Sequence, residues 1–168
     1  MIKERRKVLS AILVALTVAF LLTMSMPVAH ATPSTTVSGI IVLASYVPLE
    51  MRPAGESDNV IMKLGITEEW HGGIEATSAL EGIWILHDFV PPMGGPDTWF
   101  NVHERLTFQT ATVLGESGTL TMELNIAGTK GHWAIIAGTD GLANLHGQGT
   151  LSLTTMPYTY TGQVHFDP

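Results

Sequence analysis

Long runs of strict alternation between apolar and polar side chains limit this chain to a sheet. Val60, Met62, Leu64 and Ile66 alternate with Ile61, Lys63, Gly65 and Thr67. Leu120, Met122, Leu124 and Ile126 alternate with Thr119, Thr121, Glu123 and Asn125. Tyr158, Tyr160, Val164 and Phe166 alternate with Thr159, Thr161, Gln163 and His165. A period of two over such lengths describes strands with one dry and one wet face. Val37–Tyr46, Leu80–Phe89, Trp99–Thr112, His132–Ala137 and Thr150–Thr154 read as further strands, so the pattern predicts about eight. The breaks carry turn chemistry: Gly72-Gly73, Gly94-Gly95-Pro96, Gly115-Glu116-Ser117-Gly118, Gly128 to Gly131 and Asp140-Gly141. Such pairs tolerate the positive φ that hairpin turns require. Pro48–Asn59 and Pro91–Asp97 read as the long loops, placed to rim a cavity mouth.

About eight mostly antiparallel strands must hide their edges, and only a closed barrel removes them. The predicted fold is therefore all-β, a closed antiparallel barrel of about eight strands, whose interior holds side chains or one small ligand.

The first 31 residues read differently. Lys3, Arg5, Arg6 and Lys7 precede an apolar run from Val8 to Met24, then Pro27 and Ala29-His30-Ala31. Basic, apolar and small-x-small in that order is the pattern of a secretory signal peptide. The expectation is a signal over 1–31, a single barrel domain over 32–168, and a secreted or extracytoplasmic location. The alternative is anchoring by an uncleaved N-terminal helix, since the run is near the shortest that spans a bilayer. Residues 32–168 keep four basic side chains (Arg52, Lys63, Arg105 and Lys130) against 14 acidic ones, a net charge of −10. That balance argues against nucleic acid as a partner, because phosphate binding needs a basic footprint. It also disfavours a membrane surface once the signal is removed. The absence of cysteine excludes disulfides and Cys-ligated metal.

The C-terminal third carries a resemblance. Trp133-Ala134-Ile135-Ile136 is followed by Gly138-Thr139-Asp140-Gly141-Leu142-Ala143-Asn144-Leu145-His146-Gly147-Gln148-Gly149-Thr150, and the chain closes on Tyr160-Thr161-Gly162-Gln163-Val164-His165-Phe166. This resembles the prokaryotic domain of unknown function 3224 family, with its strand, glycine-rich stretch and final aromatic strand. Gly115 to Leu120 and Gly73 to Ser78 resemble that family's earlier glycine turns, although Asn144 and Ala76 stand where glycine is expected. The resemblance covers roughly Asn59 to Phe166. It implies a barrel similar to that of allene oxide cyclase and carries no catalytic residue over, because a shared fold does not transfer chemistry.

Among the side chains, Glu104 stands out. Phe100, Val102, Leu106 and Phe108 share its parity, so a carboxylate sits in an apolar row. Turned inward, it would be desolvated and suited to acid or base work; the plainer reading is a structural carboxyl near the mouth or held by an internal donor such as Tyr160 or Trp99. Trp84, Trp99, Trp133 and Tyr160 are the expected pocket wall around Glu104, aromatic bodies about a polar handle; packed core is their plainer reading. Glu68-Glu69 face opposite ways on a strand, so a carboxylate dyad needs Glu68 or Asp140 brought to Glu104 by the fold. His71, His87, His103, His132, His146 and His165 show no ligand spacing, so no metal is expected. No cofactor motif is present: the glycine stretch lacks a phosphate-loop ending, and turn glycines explain it better.

The leading expectation is an exported barrel that binds a small apolar ligand. The alternatives are a cofactor-free isomerase or cyclase using Glu104 as acid/base, a carboxylate (aspartic-peptidase-like) hydrolase, and a structural barrel assembling into a homo-oligomer.

Overall fold

The computed structural model describes residues 32–55, 58–89 and 99–168. The expected signal segment and the expected loop over Pro91–Asp97 lie outside the described residues. Eight strands follow in chain order: β1 (Thr35–Pro53), β2 (Val60–Gly72), β3 (Ile74–His87), β4 (Trp99–Val113), β5 (Glu116–Ala127), β6 (Lys130–Gly138), β7 (Leu145–Ser152) and β8 (Tyr158–Phe166). Each pairs antiparallel with the next, and β8 returns to β1 to close the barrel. The closing ladder runs from Thr35 opposite Val164 to Ile41 opposite Tyr158.

The alternation read from sequence sorts the faces as expected. In β2 Met62, Leu64, Ile66, Glu68 and Trp70 are buried on the inner face. In β4 Val102, Glu104, Leu106 and Phe108 turn inward, then the parity flips and Ala111 and Val113 are buried. The flip is a bulge: the register with β5 shifts between Phe108 and Ala111, so an extra residue is taken up on the β4 side. Trp70, Trp133, Phe108 and Tyr160 fill much of the interior, with Trp70 edge-on to Phe108 at 5.9 Å and tilted against Tyr160 at 4.9 Å. The Tyr160 hydroxyl accepts the Ile74 backbone N–H at 2.8 Å, which ties the turn between β2 and β3 to β8.

Four expectations are corrected. β1 runs to Pro53, so the first half of the loop expected over Pro48–Asn59 is strand; β1 bulges twice, and beyond Ile41 it pairs with β2 alone. β3 begins at Ile74 rather than Leu80. β7 begins at Leu145 rather than Thr150, so Gly147 and Gly149 lie within a strand and are not turn glycines. Their reason is steric. A Cβ at Gly149 would run into the Thr161 carbonyl oxygen and the Trp133 indole, and one at Gly162 into that indole and the Gln148 carbonyl oxygen. Asp140-Gly141, expected as a hairpin turn, opens a short 3-10 turn (Asp140–Leu142) that buries Leu142.

Candidate functional site

Two carboxyl groups sit inside the barrel. Glu68 on β2 is 7% exposed and Glu104 on β4 is 6% exposed. Both face inward because each occupies the apolar parity of its strand. They border a hollow of about 20 Å³, walled by Ile41 and Leu43 of β1, Trp84 of β3, Leu124 of β5, Leu151 of β7 and Tyr158 of β8. That volume is room for about one water.

Each carboxyl has one tryptophan donor. The Trp84 indole N–H donates to Glu104 Oε1 at 2.7 Å, and the Trp70 indole N–H donates to Glu68 Oε2 at 3.2 Å. The backbone makes room as well: a Cβ at Gly82 would run into Glu104 Oε1, so glycine is what lets the carboxylate lie against β3. Burial pushes the Glu68 carboxyl up to about 7, opposed by the Trp70 hydrogen bond and assisted by the nearby charge of Glu104. Burial also raises Glu104, opposed by Trp84. Burial and then Glu68 raise the Tyr158 hydroxyl; burial and then Tyr158 raise that of Tyr46. Tyr46 donates to the Met62 sulfur at 3.2 Å and packs 5.9 Å from Trp84, whose other side stacks on Phe100 at 5.0 Å.

No family model matches the chain, and no curated protein matches it. Among solved structures, it matches the crystal structure of a protein of unknown function from the DUF3224 family of Shewanella oneidensis MR-1, with a TM-score of 0.61 and 17% identity over 81% of this chain and 99% of that one. The chain has the DUF3224 fold. This is the family that the glycine stretch resembles.

Within the DUF3224 fold, the residues singled out by sequence separate into two sets. Trp84 and Glu104 border the hollow. Trp133 and Tyr160 are buried in the packed core and do not line it. Trp99 is a correction: it is 42% exposed and stacks on His87 at 3.9 Å. Its position at the start of β4 has the odd parity, which faces outward. The internal donor to Glu104 is accordingly Trp84, not Tyr160 or Trp99. Asp140 is exposed and bonded to Thr139, away from Glu104.

Glu68, Ser78 and Tyr158 are the members that sequence reasoning undervalued. For Glu68 the signal was present: it continues the row of Met62, Leu64 and Ile66, by the same argument that singles out Glu104. Ser78 lies directly across the ladder from Glu68 on the inner face of β3. Among the described residues no three His, Asp or Glu side chains are grouped to hold a metal ion. All four basic side chains named above occupy the outer face, so no cation compensates Glu68 or Glu104 among the described residues.

Proposed function

We propose that this barrel is an exported binding protein that holds one small, mostly apolar molecule by a polar head group. The head sits at the hollow between Glu68 and Glu104, and the body lies along Leu43, Leu153 and Tyr158. The observation that carries the reading is the pair of buried, uncompensated carboxyl groups beside an apolar-walled hollow. Buried ionisable groups are costly and cluster where proteins bind or react. Trp70, Phe108, Trp133 and Tyr160 pack the neighbouring interior, so the ligand is engaged at its head rather than swallowed whole.

Binding is tested by methyl NMR of the 32–168 protein titrated with 1-octanol. The expected result is saturable shifts of the Ile41, Leu43 and Leu153 methyls, with a Kd of about 0.1 mM or tighter, typical of a small ligand. Shifts confined to the exposed Ile83 and Ile85, or no shifts, would overturn the reading.

A second reading has its own support. Glu68 and Glu104 have different donors, Trp70 at 3.2 Å and Trp84 at 2.7 Å, and unequal carboxyl pairs divide acid and base roles. A cofactor-free isomerase or cyclase would use Glu104 as acid/base with Glu68 as its counterpart. The hydrolase reading has less: the two carboxyls bond to Trp70 and Trp84, not to each other. Glu104→Gln separates binding from turnover, since it keeps shape and removes proton exchange.

A further inference from the structure

The hollow has a size, an acceptor set and a charge, and together they specify a head group. Its size admits about one water, which is also the size of a primary ammonium and too small for a carboxylate, a phosphate or a quaternary ammonium. Its carboxyl acceptors come from two strands, Glu68 of β2 and Glu104 of β4. One oxygen of Glu68 and one of Glu104 are taken by tryptophan N–H donors, which leaves the other oxygen of each free of those bonds. Ser78, across the ladder from Glu68, is 2% exposed, and its hydroxyl has no hydrogen-bond partner among the described residues. That hydroxyl marks a missing donor on the inner face beside Glu68, although Ser78 is not part of the hollow's wall.

The charge points the same way. The titratable groups that face the hollow are Glu68 from β2, Glu104 from β4 and Tyr158 from β8, with Tyr46 of β1 next to Tyr158. All are acids. The indole of Trp84 and the ring of Tyr158 add aromatic surface, which attracts cations.

We infer that the hollow between Glu68 and Glu104 receives the ammonium head of a primary amine, whose apolar body extends past Leu43 and Leu153. Its N–H donors then meet the two carboxyl groups, and the ligand's charge replaces the cation that the fold itself omits. This rests on the binding reading above and adds the chemical class of the ligand.

The test compares octylamine with 1-octanol, which share a tail and differ in the head. Both are titrated at about pH 7.5, where the amine is protonated, and read by the same methyl shifts. Octylamine is expected to bind at least about tenfold more tightly than 1-octanol. Glu104→Gln and Glu68→Gln should each reduce the amine's advantage over 1-octanol by about tenfold. The wild-type comparison stands even where a variant fails to fold. Equal or tighter binding of 1-octanol would overturn the amine assignment and leave the binding reading standing. Failure of both ligands to shift the Leu43 and Leu153 methyls would overturn both.

Discussion

Glu68 is the residue on which stability and pH are coupled. Its carboxyl titrates near 7 in the folded chain against an ordinary 4.5, because burial disfavours the charged form. The folded state therefore binds more protons than the unfolded state between those values, and stability falls as pH rises. The contribution is fully present below about 4.5 and lost as pH passes through about 7; a shift of this size corresponds to about 3 kcal/mol. Glu104 is displaced in the same direction. Urea unfolding of the wild type should give a higher midpoint at about pH 5.5 than at about pH 7.5. Glu68→Gln should flatten most of that difference. A midpoint that climbs with pH in the wild type would show that Glu68 is not held in its neutral form. Trp84→Phe should act on the partner carboxyl: it deletes the donor to Glu104 Oε1 and should destabilise by about 1–3 kcal/mol. Replacing Glu104 with Gln in that background should recover part of the loss, since a neutral amide tolerates burial better than an unsupported acid.

At the scale of elements, β7 shows where sequence reading and structure part. Gly147 and Gly149 look like turn punctuation, because glycine in a sequence most often signals freedom of φ. Here glycine is needed for space: Gly149 and Gly162 are neighbours across the β7–β8 ladder, and the Trp133 indole lies over both. Gly162→Ala, whose Cβ would meet the indole first, should therefore cost about 1–3 kcal/mol through overpacking, measured as a lowered urea midpoint. The same substitution should cost less in a Trp133→Leu background, and equal costs in the two backgrounds would refute the indole contact as the cause. The alternation of β2, β4, β5 and β8 was legible because burial on one face leaves a period of two in the residues themselves. Glu104 was legible for that reason, and Glu68 was equally readable by the same rule. The Trp84–Glu104 bond was not legible. It depends on how β3 and β4 are registered, and the bulge after Phe108 sets that register without a proline or glycine to announce it. Trp99 misled for a related reason: an aromatic residue at the end of a strand has no neighbours on one side to reveal its face.

Among the described residues, nearly all ionised groups lie on the outer face of the barrel. Residues 32–168 carry a net charge of −10, and the four basic side chains that offset it are on the outer face. Arg52 pairs with Glu50 and Lys63 with Glu81, in both cases between side chains well open to solvent. Exposed pairs of this kind contribute about 0–1 kcal/mol each. The self-repulsion of the remaining carboxylates is spread over the surface and acts against the compact state. Salt screens both, but the repulsion involves many more partners at longer range, so screening should favour the folded barrel. Raising sodium chloride from about 10 mM to about 100 mM shortens the Debye length from about 30 Å to about 10 Å. The thermal midpoint at neutral pH should rise by about 2–4 °C, the shift expected for about 1 kcal/mol in a chain of this size. The rise should shrink at about pH 5, where Glu68 is already neutral and the surface charge begins to fall. A midpoint that falls with salt would mean that the ion pairs on β1 and β2 outweigh the general repulsion, and that the acidic surface is better matched to its own cations than its net charge implies.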